Sequence, residues 1–431
     1  MSKRYWVAAG VILLTVWFGL DKSVTSTELI RPEEVVQQAL RLACNTLTSK
    51  QFQQVLYQLP GSRNRIHSLK NLDKVGWRVE VSMGTDMLLL ERPMPHRPGG
   101  NTIVQYEEGM ERRPRWMAIA SSSCLVKTVR RLDYDKNGAL SKLHYLDAEF
   151  SKIGATMDLN PPIPSSDPKY GIQVAVVDTG VNYLLPEINA RLAREASGEV
   201  RGYDFWDLDH RPFDLNPIPS PFFPTHHGTK IASIVIKASP DITVMPYRFP
   251  RSDMSRMGEL IAHASRNGAR IVNVSLASAE FKNWSGFRDA VAQHPRLLFV
   301  VAAGNDARDI DIDPIYPAAF NSPNLIVVTA STNQGFLASY ANWGIESVDL
   351  AVPADKIEVI DFHGQPKWVG GSSYAAARVS GLAACILAKK PSMYLDELQQ
   401  RLFEKAQKVR GGRMVRYGLI PESRFNENGI C

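Results

Sequence analysis

The chain has 431 residues, 44% of them hydrophobic, with 50 Lys+Arg against 44 Asp+Glu for a formal net charge of +6. A chain this long and this apolar buries a large core, has room for two or three domains, and is not disordered. The basic excess lies in the front: residues 1–160 hold 22 basic and 16 acidic side chains, and the rest hold 28 of each. The positive residues are scattered among acidic ones, so a solvated surface is expected, with no nucleic-acid partner.

Residues 1–26 read as a signal peptide or an uncleaved signal anchor. Lys3 and Arg4 precede the fifteen apolar residues from Trp6 to Leu20, and the polar DKSVTS follows. Fifteen residues suit a signal core better than a span of about 20. The expectation is export, to a secreted or periplasmic location. A membrane is a partner only through this segment if it stays uncleaved, with Val24 and Ser26 as the candidate cleavage positions.

Residues 27–157 have the pattern of a smaller α+β domain. PEEVVQQALRLACNTL and SKQFQQVLYQL read as amphipathic helices, the first with Pro32 at its first position. VGWRVEVSM, DMLLLERP, NTIVQYEE, RWMAIASSS, CLVKTVRRLDYD and ALSKLHYLD read as strands joined by turns. The four cysteines make no metal spacing. Cys44 and Cys124 both fall here, where export would let them pair. Cys385 reads as a small apolar core residue, and nothing in the sequence names a partner for Cys431. DYDKNG places Asp133, Asp135, Asn137 and Gly138 as in the first half of a calcium loop, but the twelfth position is His144. A hairpin turn explains the same letters, so no metal or other cofactor is assigned and structural calcium stays unsupported.

DLNPPIPSSDPKY, residues 158–170, lacks apolar periodicity and reads as a linker. Residues 171–431 then alternate strands and helices: IQVAVVD, GTKIASIVIKA, ITVMPYRF, MGELIAHASRNG, ARIVNVSLA, GFRDAVAQH, LLFVVAAG and NLIVVTAST. This predicts an α/β domain, a mostly parallel sheet with helices on both faces. Farther on, VGGSSYAAARVSGLAA turns sharply at Gly370 and Gly371, with Ser372 placed to cap a buried apolar helix and Ser373 in its first turn.

In such sheets functional groups collect where strands end and helices begin. Asp178 ends IQVAVVD, His227 precedes a helix, and Ser373 opens another. Carboxylate, imidazole and hydroxyl are the parts needed for nucleophilic acyl transfer. The imidazole takes the hydroxyl's proton, and the carboxylate fixes the ring's tautomer. Asn305, after the apolar VVAAG, offers an amide to an oxygen that becomes negative.

Taken together, VAVVDTGVN, HHGTKIAS, IVNVSLAS, VVAAGN, YPAAF and GGSSYAAARVSG resemble the subtilisin-like serine proteases, the subtilase family. The resemblance covers residues ~165 to ~425. It implies that Asp178 orients the base, that His227 rather than His226 is general base and acid, and that Ser373 is the nucleophile. It also implies that Asn305 and the Ser373 N–H form the oxyanion hole, and that Ser275, Leu276 and Ala277 wall the substrate cleft. The implied activity is a serine endopeptidase acting on protein or peptide substrates through an acyl-enzyme. The alternative is a catalytically silent subtilase-like scaffold that holds peptides. By its place in the chain, residues 27–157 correspond to a propeptide, an intramolecular inhibitor, or else to a permanent accessory domain. Two departures stand out: Ala377 and Arg378 occupy the stretch where the family usually has proline, and Asp306, Asp309, Asp311 and Asp313 crowd the loop after Asn305. That loop reads as a solvated acidic segment, or as an acidic pocket or cation site.

Overall fold

The computed structural model describes residues 31–60, 65–72, 76–94, 100–250 and 253–425. The targeting segment at residues 1–26 and Cys431 lie outside the described residues. Among the described residues no helix is long and apolar enough to cross a membrane.

The front domain contains α1 (Pro32–Cys44) and α2 (Ser49–Val55). Its strands are β1 (Arg65–Leu72), β2 (Gly76–Met83), β3 (Asp86–Pro93), β4 (Asn101–Glu108), β5 (Arg113–Ser121), β6 (Val126–Tyr134), β7 (Leu140–Leu146) and β8 (Ile153–Asp158). They form one eight-stranded sheet in sequence order. The outermost strands escape sequence reading for a physical reason: neither β1 nor β8 has a fully buried position, so neither carries the alternation of a half-buried strand. Helix α1 starts on Pro32 with Glu33 and Glu34 in its first turn, which suits the helix dipole, and it buries Val35, Val36, Ala39 and Leu40. These pack with Trp77, Val79, Leu88, Leu90 and Val104 on one face of the sheet. A disulfide between Cys44 and Cys124 staples the end of α1 to the turn between β5 and β6.

DYDKNG is the turn of the β6–β7 hairpin. Asp135 accepts the N–H groups of Asn137 and Ala139, and Asp133 faces His144 across the strands at 2.7 Å. Among the described residues no group of three or more His, Cys, Asp or Glu side chains is arranged to hold a metal ion.

The rear domain runs β9 (Ile172–Asp178), α3 (Pro186–Asn189), β10 (Tyr203–Asp204), α4 (Gly228–Lys237), β11 (Ile242–Arg248), α5 (Met257–Arg266) and β12 (Ile271–Val274). It continues with α6 (Ser285–Gln293), β13 (Leu298–Ala302), β14 (Leu325–Ser331), β15 (Leu350–Pro353), the hairpin β16 (Ile357–Ile360) and β17 (Pro366–Val369), α7 (Ser372–Lys389), α8 (Leu395–Phe403) and β18 (Gly418–Leu419). The main sheet is parallel throughout, in the order β10-β11-β9-β12-β13-β14-β15-β18. Strands β11 and β14 are buried at every position, which is why they are mostly apolar with no alternation of polar residues. Helices α4 and α7 pack against each other, α7 lies across the central strands, and α5 pairs with α6. After β9 the chain first builds outward to β10 and β11, then crosses to β12 on the other side. The crevice at that reversal, outside the carboxyl ends of β9 and β12, is where ligands bind in sheets of this kind.

The two domains touch through a second apolar cluster. Met117, Leu132, Leu143 and Leu159 of the front sheet and its exit meet Leu215 and Phe222 of the rear domain. Burying side chains of this size contributes roughly 1.5–3 kcal/mol each. The stretch predicted as a linker is pinned down along its length. Asn160 donates to Asp209 at 2.7 Å, the Pro161 carbonyl accepts the Tyr183 hydroxyl at 2.6 Å, and the Pro164 carbonyl accepts from Arg194 at 3.0 Å.

Candidate active site

Strand β9 delivers Asp178 into the interior, fully buried at the end of its apolar run. Helix α4 presents His227 at its N-cap position. The His227 Nδ1 lies 2.8 Å from both Asp178 oxygens, and since a carboxylate only accepts, Nδ1 carries the proton. Asp178 also accepts the Thr179 N–H at 2.8 Å. Burial by itself pulls the His227 pKa down, but the charge of Asp178 and its hydrogen bond more than offset that, so it stands above the ordinary histidine value. His226 is turned elsewhere: its Nδ1 donates to the Asp214 carbonyl and its ring stacks on Phe362 at 3.6 Å. Burial lowers its pKa.

Ser373 is half-buried in the first turn of α7. Its hydroxyl donates to the Ser275 carbonyl at 3.5 Å, and among the described residues it has no hydrogen bond to His227. The expected capping role of Ser372 is not what the structure has. Gly371 is the N-cap residue, Ser372 is the first helical residue, and the Ser372 hydroxyl accepts the Gly304 N–H at 3.1 Å. The Ser372 N–H donates to Asn305 Oδ1 at 2.8 Å, which fixes that amide with its Nδ2 on the side of the Gly371 turn. Gly371 has φ of +154° and Gly304 of +97°, backbone that side chains other than glycine rarely adopt.

Ser275 follows β12 and is tied to α7: its hydroxyl donates to the Ser373 carbonyl at 3.2 Å and accepts from Asn273, which in turn accepts from Ser380. Leu276 and Ala277 extend from it, and among the described residues neither makes a backbone hydrogen bond. Together with Asp178, His227, Lys230, Asn216 and Thr225 they line a cleft of about 600 Å³.

Three residues of this region carry no motif in the sequence. Asp214 is fully buried and accepts from the Thr179 and Thr229 hydroxyls, both at 2.5 Å, and from the His227 N–H at 3.0 Å. Its only signal is its place in a loop rich in proline. Arg248, at the end of β11 in register with Asp178, is buried between Asp204 and Asp207 and donates to the Leu215 carbonyl at 2.8 Å. Asn342 is fully buried and shapes the loop around Asn305, accepting from Asp306 and Arg308 and donating to Ala303.

The acidic loop spends its charge locally. Arg308 bonds Asp313 at 2.7 Å and lies near Asp306, while Asp311 accepts the backbone N–H groups of Glu346 and Ser347. Burial tends to raise the Asp311 pKa, but these hydrogen bonds leave it lowered. At the other departure, α7 runs unbroken through the buried Ala377. Arg378 clamps the C-terminal segment by a paired bond to Glu422 at 2.7 and 2.9 Å and lies over the Phe425 ring. Cys385, expected as a plain apolar residue of the same helix, is buried and disulfide-bonded.

The subtilase family model matches residues 169–419, more than half of the chain. The chain belongs to the subtilase family. This subtilase is 27% identical over 269 residues to the thermophilic serine proteinase of Bacillus sp. strain AK1, covering 58% of the chain and 60% of that protein. It is 29% identical over 231 residues to the halolysin of Haloferax mediterranei, covering 50% of the chain and 41% of that protein. It thus spans about half the length of these relatives. A solved cold-adapted subtilisin-like serine proteinase superposes with a TM-score of 0.49 at 22% identity, over 62% of this chain and 93% of that one.

Proposed function

We propose that this subtilase is an exported serine endopeptidase that cleaves protein or peptide substrates through an acyl-enzyme. The observation that carries the reading is the buried Asp178–His227 pair, opening on the same cleft as the segment Ser275–Ala277, with the His227 ring 5.5 Å from that of Tyr374, the residue after Ser373 in the first turn of α7. An extended peptide adds to a free strand through its backbone, which gives tolerance of sequence, and side-chain pockets supply preference. In this reading His227 accepts the Ser373 proton on Nε2 once the hydroxyl leaves the Ser275 carbonyl. Asp178 stabilises the imidazolium, and Ser373 Oγ attacks the scissile carbonyl. Asn305 Nδ2 and the Ser373 N–H, at the positive end of α7, stabilise the tetrahedral oxyanion. The imidazolium then returns its proton to the leaving amine, and water repeats the sequence to release the acid. No cofactor enters these steps. Export is supported by the N-terminal segment and by the Cys44–Cys124 bond, since disulfides persist in oxidising compartments.

One observation favours the rival reading of a silent peptide-holding scaffold: the Ser373 hydroxyl rests on Ser275 and not on His227. A fluorophosphonate probe separates the two. The peptidase labels in the wild type and not in Ser373→Ala, with hydrolysis falling by about 10⁶-fold. An unlabelled, folded wild type would leave the scaffold.

A further inference from the structure

The segment between β10 and α4 serves two neighbours at once. Asp214 holds the Thr179 hydroxyl and the His227 N–H, and the next residue, Leu215, points into the cluster shared with the front sheet. The Leu215 N–H donates to the Thr179 carbonyl at 2.8 Å, and Arg248 holds the Leu215 carbonyl. Beyond it, Asn216 and Thr225 pair through both backbone bonds, 2.9 and 3.0 Å, and close a loop whose sequence is PIPSPFFP. Four prolines in eight residues lock φ at four positions, so this loop is stiff. Its base, Asn216, Ile218 and Thr225, lines the cleft, and its tip, Phe222, is fully buried against the front sheet. Arg130 of β6 donates to the Phe222 carbonyl and lies 3.9 Å from the Phe223 ring centre. Among the described residues, those lining the cleft fall between 178 and 284, and none of them belongs to the front domain. The chain leaving β8 runs along Asp209, Tyr183 and Arg194, a different set from those lining the cleft.

We propose that the front domain is a permanent positioning domain. Through Phe222 and the proline-rich loop it sets the place of Asp214, and through Asp214 the backbone of the base His227; it does not plug the cleft. The proposal rests on the peptidase reading. A plug and a positioning domain respond with opposite signs when the dock is loosened: release of a plug raises turnover, and loss of positioning lowers it.

The test uses the full-length protein with Phe222→Ala, its conservative partner Phe222→Leu, and Arg130→Gln at the rim of the dock. Positioning predicts that Phe222→Ala lowers kcat by about 10-fold with KM within about 2-fold, because small misplacements far from the chemistry are costly to turnover. The acid limb of the pH–rate profile shifts in the same variant. Phe222→Leu restores most of the loss, Arg130→Gln gives a smaller loss in the same direction, and N-terminal sequencing of active enzyme finds residues of the front domain. Raised kcat in the loosened variants, unchanged kcat in folded protein, or active enzyme beginning beyond residue 158 would each overturn it. Hydrogen exchange reads the dock without activity: residues 208–229 exchange faster in Phe222→Ala, and unaltered exchange there counts against the proposal. A wild type that takes no probe at Ser373 removes the peptidase reading alone, and the exchange result still decides the docking.

Discussion

Each domain contains a histidine held by an aspartate. In the front sheet His144 Nε2 lies 2.7 Å from Asp133, and in the rear domain His227 Nδ1 lies 2.8 Å from Asp178. The distances match and the surroundings do not. The Asp133 side chain is 38% exposed, and the second nitrogen of His144 is taken by the Thr156 hydroxyl at 2.9 Å on the neighbouring strand. Both ring nitrogens are spent on the sheet. Asp178 is 1% exposed at its side chain, His227 borders a cleft, and among the described residues nothing bonds its Nε2. A carboxylate–imidazole pair becomes a candidate base when the acid is buried and one nitrogen is left for a substrate group; otherwise it is a cross-strand contact.

Replacing the buried acid breaks the contrast hardest. Asp178→Asn keeps the shape but loses the charge that holds the tautomer, and turnover should fall by about 10⁴-fold. The wild-type base must be neutral, so activity rises as pH climbs through the raised His227 value. With that charge gone, burial outweighs the remaining pull of Asp214 and the acid limb moves to lower pH, which a kcat/KM profile reads directly. A profile whose limb stays in place would show that Asp178 does not set the titration of His227.

Next comes the buried cation behind β9. Arg248→Met leaves Asp204 and Asp207 facing each other without their partner, where burial already pushes Asp204 up to about 6. A loss of roughly 3–5 kcal/mol in denaturant titrations is expected, because the cost is that of uncompensated buried charge. The Asn305→Ala variant tests the oxyanion corner, with kcat down about 10²- to 10³-fold, or about 2.7–4 kcal/mol, and KM little changed; that magnitude comes from a subtilisin and is inherited here by family. The smallest effect belongs to the front pair. His144→Gln should leave peptide hydrolysis unchanged and cost no more than about 1 kcal/mol, since Asp133 is partly solvated. A large loss of turnover there would erase the distinction between the two pairs.

Much of the rear domain is legible because its strands are covered on both faces and its helices on one. Continuous apolar runs such as IQVAVVD and LIVVTAS, and the glycines beside Asn305 and Ser373, leave direct marks in the letters. Asp178 ends β9 and Asn305 follows β13, while His227 caps α4 and Ser373 lies in the first turn of α7. Six of the front sheet's eight strands, β2 to β7, are visible in the sequence, and its two outermost strands are not. What no local pattern announces is set by contacts distant in sequence. Asp214 matters because Thr179, His227 and Thr229 converge on it, and Ser372 serves Gly304 instead of capping its own helix.

The sequence by itself determined the alternation of strands and helices, the buried helix behind Ser373 and the chemical identity of the candidate reacting groups, because periodicity and residue type are local properties. Only the tertiary structure decided which nitrogen of which histidine stays open, where the Ser373 hydroxyl rests, and that the front sheet leans on the loop before His227. Those depend on burial and on directions in space, which arise when segments far apart in the chain share one desolvated interior.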